Sequence, residues 1–280
     1  MILVTGATGN IGGKIVQQLL ALKQPVRVFV RDESKIAHLG HQVERAVGDL
    51  EKVDTLEAAL QGVDRMFLNT SGFGVQQDEN AIEAAKRAGI SQIVKLSTFG
   101  AGEPAHAIDH WHAAQESVLQ ASGLGWTMLR PGQFMSNSLQ WVSSIKAQNA
   151  VYFPGGEGKV APIDPRDIAA VAVVALTQPG HEGKAYQMTG PELLSVNEQV
   201  QILARLLGKP LQYVDVPPAV AAEQMLKRGM PPMLVDALNE LSVMLREGRG
   251  AYQTHTVEEI TGRPPYTFEE WCRDHLAIFQ

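Results

Sequence analysis

The stretch Val4-Thr5-Gly6-Ala7-Thr8-Gly9-Asn10-Ile11-Gly12 decides the fold. It follows a short apolar run and precedes apolar residues at helical spacing, so it joins a predicted strand to a predicted helix. Glycines let the chain turn sharply here, let the backbone approach a pyrophosphate, and let helix pack closely on strand. The helix N-terminus adds favourable positive charge. We therefore predict a dinucleotide-binding βαβ unit with contacts at Gly6, Thr8, Gly9, Asn10, Ile11 and Gly12.

Outward from this loop, β-branched runs alternate with helical patterns. The predicted strands are Met1–Thr5, Val26–Val30, Val43–Val47, Arg65–Asn69, Gln92–Ser97 and Trp126–Leu129. The later helical segments are Val53–Leu60, Asn80–Ala88 and Trp111–Ala121. Strands that alternate with crossover helices form a parallel sheet. We therefore predict an α/β fold with a doubly wound parallel sheet of the Rossmann type.

The alternation loosens in the second half of the chain. We predict a Rossmann domain over residues 1–153 with 160–190 returning to it, and a smaller, mostly helical C-terminal lobe over 191–280, to which 131–150 contribute. Two capping boxes predict helix starts in this lobe, one at Ser195 with Glu198 and one at Thr267 with Glu270.

Composition limits the class of protein and of partner. The chain has 280 residues, of which 45% are hydrophobic and 19% charged, which suits a full-sized core. A formal net charge of −6 disfavours a nucleic-acid partner. The single cysteine, Cys272, excludes an internal disulfide, and no apolar run reaches the roughly 20 residues of a membrane span. With no secretory signal at the first strand, we expect a cytoplasmic protein without membrane partner, and a homodimer stays open.

The end of the second predicted strand indicates which nicotinamide cofactor is bound. An arginine there, Arg31, matches a 2′-phosphate, whereas a carboxylate would hydrogen-bond a 2′-hydroxyl. We predict NADP(H), with Lys35 as a second cation. The alternative is that Arg31 is a solvated surface residue and that Asp32 binds the ribose.

The spacing Gly-x-x-Gly-x-x-Gly after Thr5 resembles that of extended and atypical short-chain dehydrogenase/reductases. The resemblance implies an adenine site at Asp49 and Leu50 and a nicotinamide side lined by Asn69, Thr70 and Ser71. The superfamily's Tyr-x-x-x-Lys pair is absent, because none of the five tyrosines has a lysine four residues later. In the corresponding helix, Ile108 stands at the tyrosine position and His112 at the lysine position.

His112-x-x-x-Glu116, followed by Leu129-Arg130-Pro131-Gly132, resembles the NmrA-like branch of atypical reductases. Together with Gly158–Ala161 and Gly180–Tyr186, it resembles bacterial type-2 NADPH-quinone oxidoreductases and triphenylmethane reductases. The resemblance makes His112 and Ser97 the catalytic candidates, as groups that hydrogen-bond substrate or nicotinamide.

Substrate contacts are predicted at Phe73, Pro131, Gly132, Phe134, Asn137 and Trp141. The aromatic members suit a flat aromatic acceptor, and the alternative is that they form core between the lobes. Lys95 either faces the pocket or is structural. His106 and His110 share a helix face, but no zinc-type motif accompanies them, and we predict no metal.

These features predict an NADPH-dependent oxidoreductase that transfers hydride to a quinone or a similar conjugated electrophile. A small aromatic molecule is therefore the expected partner. Three alternatives stay open. One is a non-catalytic NADP(H)-sensing regulator of the NmrA-like type, another is a triphenylmethane-dye or azo reductase, and the last is lignan-type reductase or isomerase chemistry.

Overall fold

The computed structural model describes residues 1–280, which divide into two compact units. Unit 1 comprises Met1–Pro131, Pro165–Gln187 and Glu259–Gly262, and unit 2 comprises Gly132–Asp164, Met188–Glu258 and Arg263–Gln280. The predicted Rossmann domain extends to residue 153 and shares 131–150 with the second lobe, and the compact units separate after Pro131. Residues 132–153 group with unit 2 because a strand within them pairs with a later strand of that unit.

Unit 1 is built on a seven-stranded sheet of order β3-β2-β1-β4-β5-β6-β9. Its strands are β1 Ile2–Thr5, β2 Val26–Val30, β3 Glu44–Val47, β4 Arg65–Leu68, β5 Gln92–Leu96, β6 Gly125–Pro131 and β9 Lys184–Met188. The first six pair in parallel, which confirms the predicted doubly wound sheet. The strand order reverses between β1 and β4, and this reversal is the switch point of the fold.

Helices connect the strands of unit 1. They are α1 Gly12–Ala21, α2 Val53–Leu60, α3 Gln76–Ala88, α4 Ala107–Gln120 and α6 Pro165–Thr177, with 3-10 helices at Glu33–Leu39 and Phe99–Gly102. Helix α2 has its predicted bounds, but α3 and α4 each begin four residues earlier than predicted. Both begin with a largely polar or small-residue turn, where hydrophobic periodicity gives no signal. The carboxylates Asp78 and Glu79 favour such a turn through the helix dipole.

Unit 2 contains two short sheets. In these, β7 Ala150–Phe153 pairs in parallel with β11 Gln212–Asp215, and β8 Lys159–Val160 pairs antiparallel with β10 Leu194–Ser195. The remaining helices of the chain are α5 Val142–Gln148, α7 Val196–Leu207, α8 Pro218–Lys227, α9 Pro232–Arg246, α10 Thr256–Thr261 and α11 Phe268–Phe279, with a 3-10 helix at Met135–Trp141. None of the helices in the chain has the length and apolarity needed to cross a bilayer.

Both predicted capping boxes are present in unit 2. The Glu198 N–H donates to Ser195 Oγ at 3.1 Å, and the Glu270 N–H donates to Thr267 Oγ1 at 3.2 Å. In each box the glutamate carboxylate accepts the N–H of the capping residue in return. The helical C-terminal part of the fold prediction is therefore confirmed, with its helix starts at α7 and α11.

Candidate cofactor and active site

The glycine loop joins β1 to α1 at the carboxyl edge of the sheet. Gly6 has a φ of +63°, and the Gly9 N–H donates to the Gly6 carbonyl at 2.9 Å, which closes a tight turn. A Cβ on Gly12 would lie 2.2 Å from the Gly6 oxygen, so a side chain is excluded there. Helix α1 begins after Ile11 without a side-chain cap and without an acidic residue in its first turn. Such a helix start directs backbone N–H groups and positive charge toward an anion.

Thr5 ties the glycine loop to the neighbouring strand β4. Its Oγ1 accepts the Asn69 N–H at 2.7 Å and lies 3.2 Å from the carbonyl oxygens of Phe67 and Asn69, to which it can donate. This bond spans the switch point, where open α/β sheets bind their ligands. Thr8 and Gly9 are exposed at the tip of the loop. A narrow backbone cradle at this place fits the pyrophosphate of a dinucleotide.

The residues at the end of β2 separate into a free cation and a committed carboxylate. Arg31 is exposed and has no hydrogen-bond or ion-pair partner, and Lys35 is exposed nearby. Asp32 Oδ1 accepts from Ser34 Oγ at 2.7 Å and from the Ser34 N–H at 3.0 Å. These bonds lower the pKa of Asp32 and make it the cap of the 3-10 helix at Glu33–Leu39. The exposed cations Arg31 and Lys35 at the end of β2 therefore fit a 2′-phosphate.

Two side chains of α3 hold the loops that follow β3 and β4. Asn80 Nδ2 donates to the Leu50 carbonyl at 2.8 Å. Gln77 Oε1 accepts the Ser71 N–H at 2.8 Å, and Gln77 Nε2 donates to Glu51 Oε1 at 2.7 Å. The predicted contacts Asp49, Leu50, Asn69, Thr70 and Ser71 all lie in these two loops. Sequence reasoning missed Gln77 and Asn80, which belong to a helix with an otherwise alanine-rich inner face.

Lys95 of β5 is fully buried and pairs with Asp78 of α3. Lys95 Nζ lies 2.6 Å from Asp78 Oδ1 and donates to Thr70 Oγ1 at 3.3 Å. The Thr70 hydroxyl in turn donates to Asp78 Oδ2 at 3.2 Å. Burial raises the pKa of Asp78, and the charge of Lys95 opposes that rise. Of the two interpretations of Lys95, the structure therefore supports the structural one, next to the loop predicted on the nicotinamide side.

Ser97, Glu116 and Arg130 form a second network, largely buried, which joins the residue after β5 to α4 and β6. Ser97 Oγ donates to Glu116 Oε1 at 2.5 Å. Arg130 binds the same carboxylate through two bonds, Nε to Oε1 at 2.9 Å and NH2 to Oε2 at 2.5 Å. Glu116 thereby raises the pKa of Arg130. The Ser97 hydrogen is committed to Glu116, so Ser97 has only acceptor capacity left for a ligand.

His112 lies one helical turn before Glu116 on α4, and its Nδ1 is buried without a hydrogen-bond partner. Burial lowers the pKa of His112 to about 4; the charge of Lys95 acts in the same direction, and Glu116 opposes it. The imidazole is therefore neutral at pH 7. One turn earlier stands the apolar Ile108. This helix face offers a hydrogen-bonding group but no strong acid.

The predicted substrate contacts fall into both units. Unit 1 contains Phe73 and Pro131, and unit 2 contains Gly132, Phe134, Asn137 and Trp141. Phe73 is 40% exposed in the loop after β4. Trp141 is 3% exposed and packs into the core of unit 2 with Met135. For Trp141 the structure thus favours the core alternative. The core is that of unit 2 and not one between the lobes.

His106 lies beside a carboxylate, and Cys272 lies in a core. His106 Nε2 lies 3.2 Å from Asp109 Oδ2, three residues along α4, and no group of three or more potential ligands is present. Cys272 is buried in the core of unit 2, and burial raises the pKa of its thiol to about 12. A thiol of that kind is not a nucleophile at neutral pH.

Comparisons with known proteins identify the family of the chain. The family described as NAD(P)H-binding matches residues 6–179. An NAD(P)H azoreductase of Xenophilus azovorans is 42% identical over 100% of this chain and 99% of its own. A (4-alkanoyl-5-oxo-2,5-dihydrofuran-3-yl)methyl phosphate reductase of Streptomyces griseus is 39% identical over 100% of this chain and 99% of its own.

A solved structure is similar to this protein over nearly the whole chain. The NADPH-dependent quinone oxidoreductase of Escherichia coli, in complex with NADPH, is 28% identical, covers 99% of this chain and 100% of its own, and has a TM-score of 0.88. The predicted cofactor class and the resemblance to atypical reductases are thereby confirmed. The chain belongs to the NAD(P)H-binding family, and it is an NAD(P)H-dependent oxidoreductase with the NmrA-like, atypical short-chain reductase fold.

Proposed function

We propose that the protein passes hydride from NADPH to a quinone, an azo compound or another electron-poor conjugated bond. The cofactor supplies the hydride, and the protein supplies position and polarity. One observation carries the proposal: the charged groups around His112 are paired with one another, and His112 itself is neutral at pH 7. The acceptor must therefore be one that needs no strong acid from the protein.

Different acceptors make different demands on a proton donor. Hydride addition to a simple ketone develops an alkoxide, for which a positioned general acid is worth roughly 10²–10⁴-fold in rate. Ile108 stands where the superfamily has its acid, and a neutral His112 offers at most a hydrogen bond. Hydride addition to a quinone instead gives a delocalised phenolate, which takes its proton from water after the difficult step. The site therefore suits conjugated acceptors.

The residues divide into cofactor and acceptor contacts within this proposal. The glycine loop and the start of α1 hold the pyrophosphate, while Arg31 and Lys35 bind the 2′-phosphate. Adenine and nicotinamide contacts are assigned to Asp49, Leu50, Asn69, Thr70 and Ser71. His112 hydrogen-bonds the acceptor or the nicotinamide ribose, and further acceptor contacts are assigned to Phe73, Pro131, Gly132, Phe134 and Asn137. We also place the protein in the cytoplasm, in keeping with its single buried thiol.

Two of the relatives give specific support. The 42% identical relative is named for azo compounds and favours an N=N bond as the acceptor, while the solved neighbour is named for quinones. Both are π-bonds conjugated to electron-withdrawing or aromatic groups. Azo reduction is therefore the second candidate, with the same mechanism and a different acceptor.

The test is NADPH consumption by the purified protein with a panel of quinones, azo dyes, simple ketones and secondary alcohols. We expect the conjugated acceptors to oxidise NADPH and the ketones and alcohols to be inert. His112→Ala should lower the rate without abolishing it, and Leu22→Ala, at the exposed C-terminal end of α1, serves as the control. Ketone reduction with inert quinones would overturn the mechanism. Tight NADPH binding without turnover of any acceptor would instead favour the regulator.

A further inference from the structure

Phe73 and Trp111 form an aromatic pair at the carboxyl edge of the unit 1 sheet. Their ring centroids lie 4.3 Å apart at an interplanar angle of 48°. Of the eight phenylalanines in the chain, Phe73 alone has an exposed side chain, at 40%. A single exposed aromatic residue is unremarkable by itself.

The loop that carries Phe73 is fastened on both sides. On one side the Ser71 N–H donates to Gln77 at 2.8 Å. On the other, Gln115 Nε2 donates to the Gly74 carbonyl at 3.0 Å, and Gln115 is only 2% exposed. A buried amide that holds a surface-loop carbonyl fixes the backbone directly after Phe73. The ring is therefore presented by a loop of defined conformation.

The chain is uncrowded on both sides of Phe73. Phe73 stands between Gly72 and Gly74, and a Cβ at either glycine would meet no atom within 4 Å. Gly72 has a φ of +103°, which explains glycine at that position. At Gly74, no neighbouring atom would prevent a side chain. The backbone on both sides of Phe73 therefore carries no side chain, and the part of the ring that is exposed is available to a flat molecule.

The position of the pair relates it to the chemistry of the site. The loop directly follows β4, at the switch point where ligands of such sheets bind. Trp111 immediately precedes His112, whose Nδ1 is buried and has no partner. We propose that Phe73 and Trp111 are the platform on which the planar aromatic ring of the acceptor stacks, and that Gln115 is a positioning residue for Phe73. This inference rests on the proposed function and narrows its acceptors to conjugated bonds attached to extended aromatic rings.

The experiment compares two quinones that share the reacting group and differ in stacking area, naphthoquinone and benzoquinone. Phe73→Leu keeps apolar bulk but removes the π face, so KM for naphthoquinone should rise roughly 3- to 10-fold. KM for benzoquinone should change less, and kcat and NADPH affinity should stay the same. Phe73→Tyr retains the ring and should therefore keep KM for naphthoquinone lower than Phe73→Leu does. Tyr152→Ala, which removes an exposed aromatic side chain of unit 2, is the matched control.

Gln115→Met tests the positioning role, because the side chain keeps a similar length and buries no charge but loses the N–H donor to Gly74. It should raise KM for naphthoquinone in the same way as Phe73→Leu. Equal KM changes for both quinones in Phe73→Leu, with turnover intact, would overturn the platform and leave the proposed function standing. A protein that reduces no quinone would overturn the proposed function. In that case, naphthol should still quench tryptophan fluorescence, and quenching undiminished in Trp111→Phe would overturn the platform separately.

Discussion

The glycine loop and the edge formed by β5, β6 and α4 belong to the same unit but are built in opposite ways. The loop offers backbone: its conformation depends on the positive φ of Gly6 and on the space that Gly12 leaves against the Gly6 carbonyl. The edge offers side chains, and its charged groups are buried in pairs such as Glu116 with Arg130. Backbone recognition suits a cofactor phosphate, whereas at the edge burial, assisted by the charge of Lys95, lowers the pKa of His112 and keeps the imidazole neutral.

The difference explains how each region tolerates change. The loop has few side chains to lose, so only added atoms disturb it. The edge consists of mutual partners, so removal of any one leaves a buried group without compensation. Substitutions that add volume should therefore break the first region, and substitutions that delete charge should break the second.

The largest effect on function, complete loss of cofactor binding, is expected at the glycines, where two positions of the same loop should differ in their effect on stability. A Cβ on Gly12 would meet the backbone oxygen of Gly6 at 2.2 Å, whereas one on Gly9 would lie 3.2 Å from it. Gly12→Val should lose NADPH binding and also lower the free energy of unfolding by about 1–3 kcal/mol or more. Gly9→Val should lose NADPH binding with its ligand-free thermal transition retained. A normal NADPH-induced rise in Tm for Gly9→Val would show that the loop is not the phosphate site.

The sequence predicted the region whose signal is local. The glycine spacing, the flanking strand and the helix lie within one short stretch, so pattern and geometry coincide. The capping boxes at Ser195 and Thr267 are local in the same sense and were also predicted. The spacing does not show, however, that the two glycines differ in crowding. A Cβ on Gly12 would lie much closer to the Gly6 carbonyl oxygen than a Cβ on Gly9 would.

The side-chain networks could not be predicted, because their partners are far apart in the sequence. Ser97 and Glu116 are 19 residues apart and Glu116 and Arg130 are 14 apart, on three different elements. Whether Ser97 faces a ligand or donates to Glu116 depends on their relative placement in the sheet, and no spacing encodes it. The same holds for Lys95, whose partner Asp78 lies in the polar first turn of α3, before the predicted start of that helix.

The second effect concerns the Lys95–Asp78 pair. Lys95→Met should lower the free energy of unfolding at pH 7 by about 3–5 kcal/mol, because it leaves a buried carboxylate without its cation. The pKa of Asp78 is already raised by burial and should rise further in this variant. A folded-state pKa above the unfolded value means that the folded state gains stability as pH falls. Denaturant unfolding at pH 7 and pH 5 should show the loss shrinking at the lower pH.

Lys95→Met with Asp78→Asn is the matched control. The double variant buries no unpaired charge, so it should recover much of the stability and lose the pH dependence. A single variant with unchanged stability, or a loss that does not depend on pH, would contradict the role assigned to the pair.

A smaller effect follows from His112. Its folded pKa of about 4 lies below the ordinary value of 6.5, so between those values the unfolded chain binds a proton that the folded chain does not. Stability is lost as pH falls through this window, by about 3 kcal/mol from this residue. His112→Asn removes the titration and should give a shallower fall in unfolding free energy between pH 7 and pH 4. Equal slopes for the two proteins would show that the imidazole is not held neutral.

The smallest effect is expected at the exposed end of the cofactor site. Arg31 is a free cation, whereas Asp32 is committed to Ser34. Charge-assisted bonds from Arg31 to a 2′-phosphate should make NADPH bind roughly tenfold more tightly than NADH. Arg31→Asp should narrow or invert that preference, as measured by titration of both cofactors. Equal affinities of the unmodified protein for NADPH and NADH would overturn the assignment.

Asp32→Asn decides between Arg31 and the competing carboxylate. If Asp32 only caps the 3-10 helix that follows, the variant should leave NADH affinity unchanged, because no ribose bond is lost. If Asp32 binds the 2′-hydroxyl, NADH affinity should fall selectively while NADPH affinity stays. Lys35→Met adds a graded control, since the loss of a second cation should weaken NADPH less than Arg31→Asp does and leave NADH unaffected. That order of the three variants is expected if Arg31 and Lys35 both contact the 2′-phosphate and Asp32 does not contact the ribose.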